Sequence, residues 1–169
     1  MEIRLDLAKY ALERNDNMAN LADTKAGLFS AFVFLLMSLM LNESQNVLSL
    51  FHSKSWLLKG FALVGVSFFV VGMVVTYGAT ILSIYPRIKP TSESVVFFGS
   101  VAKMPSEEEL RRSFLSKDLE VMEVVISQVY STSKIVYKKF RLLQVTALAT
   151  IITSVGWLIV TVLLILQRV

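Results

Sequence analysis

The chain has 169 residues, 54% of them hydrophobic, a formal net charge of +4, one histidine and no cysteine. Its mean hydropathy of +0.62 lies far above that of an ordinary soluble domain. The absence of cysteine excludes a disulfide framework, a thiol nucleophile and a thiolate metal site.

Residues 1–25 predict a mostly polar helix that runs without a breaker into the uncharged stretch 26–41. At 16 residues that stretch reaches about 24 Å at 1.5 Å per residue. It crosses a bilayer core if Lys25 extends toward the headgroups or the bilayer thins locally. Along this helix Asp16, Asn20, Asp23, Gly27 and Ser30 recur at steps of four and three, which predicts one seam, polar at one end and small at the other. At 100° per residue Lys25 points well away from Asp23, so the two are not expected to pair with each other.

The loop 42–59 carries Lys54, Lys59 and the single histidine, His52, which reads as a solvated loop residue. Residues 60–84 form a second uncharged stretch of 25 residues, with Trp56 as an interfacial anchor and Pro86 and Pro90 closing it. Within it Gly72, Thr76 and Thr80 make a row of small residues that permits close helix approach, inside the chain or between subunits.

Residues 85–141 hold ten of the 17 Lys and Arg residues. Ser94 to Gly99 has the composition of a short strand, so a small irregular or β element is expected near 94–99. A helix should begin at Ser106, with Glu109 as its capping-box partner. From Lys117 to about Leu166 only Gly156 interrupts helical composition, and 142–166 form a third uncharged stretch of 25 residues. Leu119, Met122, Ile126, Val129, Ser133, Val136 and Phe140 predict the inward stripe of this helix. Lys134, Lys138 and Arg141 share another face, where binding of anionic lipid is the plainer role.

The expected fold is therefore an all-α membrane protein of three spans, whose first and last helices extend into a cytoplasmic bundle. The excess of positive charge in 1–25 and 85–141 places both segments in the cytoplasm, the loop 42–59 outside, and the C-terminus outside. An acidic stripe on the first helix is expected to face the basic stripe of the last.

No catalytic constellation is present in the sequence: there is no Ser-His-Asp set, no H-E-x-x-H and no P-loop. What remains near the cytoplasmic surface is a set of cations and aromatic rings, including Lys25, Lys138, Lys139 and Arg141 with Phe98 and Tyr130. Cations of this kind make charge-assisted contacts to phosphate, and aromatic faces stack on bases.

Ala22-Asp23-Thr24-Lys25-Ala26-Gly27 resembles the A-D-x-K-A signature of the Pycsar effector domain. Pro86 after the second span, Phe97-Phe98-Gly99, Gln128-Val129-Tyr130 and Lys139-Phe140-Arg141-Leu142 follow in the order that family shows, so the resemblance covers essentially the whole chain. It implies a bacterial antiphage effector of the inner membrane. Such an effector has no cofactor and is activated by cyclic CMP or cyclic UMP from a partner cyclase. It acts on the bilayer as a homo-oligomer and binds no nucleic-acid polymer. Some relatives fuse an HD phosphohydrolase; no His-Asp pair of that kind occurs here, so an enzymatic role is not expected.

On this basis the phosphate is expected at Lys25, Lys138, Lys139 or Arg141 and the pyrimidine against Phe98 or Tyr130. Asn20 and Asp23 would read the base edge or the ribose hydroxyl. The plainer role for Asp23 is a helix-to-helix ion pair, for instance with Lys138. The alternative function is a constitutive scaffold or holin-like protein with no nucleotide ligand.

Overall fold

The computed structural model describes residues 2–85, 105–108 and 121–168. Four helices account for nearly all of them: α1 (Glu2–Asn42), α2 (Ser44–His52), α3 (Trp56–Ile84) and α4 (Val121–Arg168). Among the described residues there is no strand. The strand-like segment 94–99 and Glu109 lie outside them, whereas Glu107 and Glu108 are helical, as a helix starting at Ser106 requires.

Three of the helices are long and apolar enough to cross a membrane: Asp6–Asn42, Trp56–Ile84 and Val125–Gln167. α1, with 41 residues, is about 62 Å long and α4, with 48, about 72 Å at 1.5 Å per residue. Each is roughly twice the 30 Å of a bilayer core. The polar first half of α1 thus continues into the apolar second half as one helix, as the uninterrupted sequence predicts.

α2 was not expected from the sequence. Its buried Val47 and Leu50 pack with Ala62 of α3 and with Val160, Leu163 and Leu164 of α4. The signal was the apolar spacing of Val47, Leu50 and Phe51 on a single face. His52 ends this helix, exposed, with its Nδ1 3.0 Å from the carbonyl oxygen of Leu48. α3 then starts where Ser55 Oγ accepts the Leu58 N–H at 3.5 Å, a serine N-cap on the residue before Trp56.

The chain divides into two compact units, Met1–Ala19 with Tyr85–Tyr137, and Asn20–Ile84 with Lys138–Val169. In the first, α1 and α4 meet through Asn15. Its Nδ2 lies 3.3 Å from the Val129 carbonyl, 3.1 Å from Thr132 Oγ1 and 2.8 Å from Ser133 Oγ. An amide donor in a helix pair selects the register that satisfies it, so α4 turns its hydroxyl-bearing face inward. Of the residues predicted to point inward, Ile126 is 55% exposed and Ser133 is exposed as well, while Gln128, Val129, Thr132 and Val136 are half-buried. Leu119 lies outside the described residues.

In the second unit the buried face of α3 is made, apart from Phe69, of small residues, among them Gly65, Gly72, Thr76 and Thr80. A Cβ at Gly72 would stand 2.8 Å from the Ala149 carbonyl oxygen, and one at Gly156 would stand 2.6 Å from that of Gly65. The α3 and α4 backbones come this close because no side chain separates them. The row Gly72, Thr76 and Thr80 therefore packs within the chain.

α1 joins through Ala22, Ala26, Val33 and Leu36, all buried. This line runs one residue out of phase with the predicted seam. Asn20 and Gly27 are exposed, and a Cβ on Gly27 would meet nothing within 4 Å. Alanine allows close approach without burying an amide or a carboxylate, which explains the phase. Among the described residues, only Asp23 and Ser30 of the expected seam reach neighbouring helices, in both cases through hydrogen bonds.

Candidate functional site

One carboxylate joins three helices. Asp23 on α1 accepts a hydrogen bond from Ser83 Oγ of α3 at 3.4 Å through Oδ1, and pairs with Lys139 Nζ of α4 through Oδ2. The two charged side chains are largely withdrawn from solvent, Lys139 at 19% and Asp23 at 33% exposure. Their sequence neighbours Ala22 and Phe140 belong to an apolar cluster with Ala26, Phe29 and Leu143. Attraction between the charges is stronger in such surroundings than in water, and so is the cost of removing either one.

Helix phase explains why the partner is Lys139 and not the expected Lys138. Lys139 continues the inward line of Leu143, Thr146, Thr150 and Thr153 at steps of four and three. Lys138 and Arg141 stand on the exposed face, so this part of the basic stripe does not turn toward α1. Their charges remain available to solvent or lipid.

The remaining predicted residues fall as follows. Lys25 and Asn20 are exposed, and the Asn20 carbonyl accepts a hydrogen bond from Thr24 Oγ1 at 2.9 Å. Tyr130 belongs to the other unit, 61% exposed, with Lys134 Nζ 4.2 Å from its ring centroid. A cation over the ring occupies one face of the aromatic surface assigned to base stacking. Phe98 lies outside the described residues. The structure thus brings Asp23 and Lys139 together.

Ser83 was missed. The row Gly72, Thr76, Thr80 continues by helical spacing to Ser83, so extending it one step would have found this residue.

From Asp23 a line of hydroxyl groups runs into the apolar part of the unit. Ser30 Oγ and Thr80 Oγ1 are hydrogen-bonded at 2.8 Å, and Tyr77 donates to the Ser30 carbonyl at 3.5 Å. Thr76 Oγ1 is buried with no hydrogen-bond partner among the described residues. On α4, Thr146, Thr150, Thr153, Ser154 and Thr161 each donate to the carbonyl four residues back, at 2.9–3.0 Å. By contrast, the outward faces carry residues such as Phe34, Val71 and Leu158.

Among the described residues no cluster of three or more His, Cys, Asp or Glu could hold a metal ion. Through its contacts with Ser83 and Lys139 the Asp23 carboxylate ties three helices together.

The family model described as the Pycsar effector protein domain matches residues 7–166. No curated protein and no solved structure matches the chain.

Proposed function

Because the chain belongs to the Pycsar effector family, whose members are antiphage membrane effectors, we propose that it senses a cyclic pyrimidine nucleotide and then disrupts the inner membrane. The family match over nearly the whole chain carries this reading. Segments 1–25 and 85–141 are the cytoplasmic parts, on the positive-inside argument, and spans 26–41, 60–84 and 142–166 cross the membrane. The loop 42–59 and the C-terminus face outward. Cyclic CMP or cyclic UMP, made by a partner cyclase, is the activating ligand, and its phosphate binds at Lys139 with help from the exposed cations nearby in sequence, Lys138 and Arg141.

Three spans cannot enclose a water-filled path alone, so the active form is a homo-oligomer. Cooperation among subunits also answers the energetics. Moving a two-state equilibrium from 1:99 to 99:1 needs about 5.5 kcal/mol of differential binding, more than one phosphate contact supplies.

The test is binding of cyclic CMP, cyclic UMP, cyclic AMP and cyclic GMP to the detergent-solubilised protein, followed by dye release from vesicles. Saturable binding of one pyrimidine nucleotide, with release that follows its occupancy, supports the function. Equal or absent binding of all four rejects it in favour of the scaffold.

A further inference from the structure

We propose that the Asp23 carboxylate holds the place of a ligand phosphate on Lys139, so that a phosphodiester monoanion binds by displacing Asp23 and in doing so breaks the charged tie of α1 to α3 and α4. The source of the phosphodiester rests on the function proposed above. The displacement itself rests on the ion pair.

A carboxylate and a phosphodiester are alike in what Lys139 can recognise: a single negative charge and two unprotonated oxygens. Asp23 spends one oxygen on Lys139 and the other on Ser83, so its removal breaks the links to α4 and α3 together. A phosphodiester arriving at Lys139 has something Asp23 lacks. Lys138, exposed and adjacent to Lys139 in sequence, can add a further charge-assisted contact.

Once the anion is bound, Asp23 faces a like charge in place of an opposite one. The bound state therefore disfavours the contact that holds the helices together, which is the differential affinity a ligand needs in order to shift a conformational equilibrium. Lys25, two residues beyond Asp23 and exposed, is not part of the knot and stays free to follow α1. Two sources carry this chemistry, a cyclic nucleotide and the headgroup of an anionic lipid such as phosphatidylglycerol.

The test is dye release by the purified full-length protein in phosphatidylcholine vesicles, with and without cyclic CMP or cyclic UMP, repeated in phosphatidylglycerol vesicles without nucleotide. Asp23→Asn is expected to raise ligand-free release at least fivefold. The paired reversal Asp23→Lys with Lys139→Asp should restore closure, and it answers for any loss of insertion in the single variant. Release by the unaltered protein in phosphatidylglycerol alone assigns the displacing anion to lipid. If the unaltered protein leaks in phosphatidylglycerol while neither nucleotide acts on it, the displacement stands and the nucleotide function falls; if neither nucleotide nor phosphatidylglycerol acts on it, the displacement is overturned. If the unaltered protein responds to nucleotide and Asp23→Asn matches it with and without ligand, the displacement is wrong and the function survives.

Discussion

Ser30 Oγ and Thr80 Oγ1 lie 2.8 Å apart, a hydroxyl of α1 against a hydroxyl of α3, seven residues after Asp23 on α1 and three before Ser83 on α3. In an apolar setting such a bond has few competitors, although measured couplings between membrane helices average only about 0.6 kcal/mol and reach about 1.7. Ser30→Ala and Thr80→Val are expected to couple within that range in a double-mutant cycle read by unfolding in mixed micelles. Strict additivity would show that the two hydroxyls do not bond.

The close approach of α3 to α4 gives a second expectation. Gly72→Ala and Gly156→Ala place a methyl group against backbone atoms at 2.8 Å and 2.6 Å, which cannot yield as a side chain does. Each should cost about 1–3 kcal/mol and lower Tm in detergent by several degrees. Gly60→Ala, where nothing lies within 4 Å, should leave Tm unchanged or raise it slightly. Equal effects at all three positions would contradict the packing.

Asn15 makes a comparable prediction for the other unit. Its amide serves the Val129 carbonyl and two hydroxyls, so Asn15→Ala should cost about 1 kcal/mol, or roughly a fivefold faster hydrogen exchange in residues 8–19. Asn17→Ala, on the exposed side of α1, serves as the control and should not change exchange.

Because the chain contains no cysteine, orientation can be read with single introduced thiols. Gln45→Cys on α2 is expected to react with a membrane-impermeant maleimide added to intact spheroplasts. Asn17→Cys should react only after the membrane is opened. Both positions are exposed, so the opposite pattern would invert the topology derived from the Lys and Arg distribution.

The long helices were legible because their signal is cumulative: 25 consecutive uncharged residues leave little choice of structure. Helix phase was harder to read. Seam and buried line in α1 differ by one residue, and the sequence pattern around Asp23 favoured the polar positions where packing chose Ala22 and Ala26. The same single-residue ambiguity separates Lys138 from Lys139. It was resolved by which lysine lies in line with Leu143 and Thr146, information held in the far half of α4. α2 escaped notice because its apolar positions acquire meaning only beside Val160 and Leu163, more than a hundred residues later.

The hydroxyl groups of α4 have a consequence for motion. Thr146, Thr150, Thr153, Ser154 and Thr161 all donate to carbonyls of their own helix. They bring their acceptors with them wherever the helix turns. α4 can therefore rotate about its axis, or slide past α3, without stranding any of these donors in hydrocarbon. The part of this protein that looks most like a fixed polar core is the part that lipid would penalise least for moving.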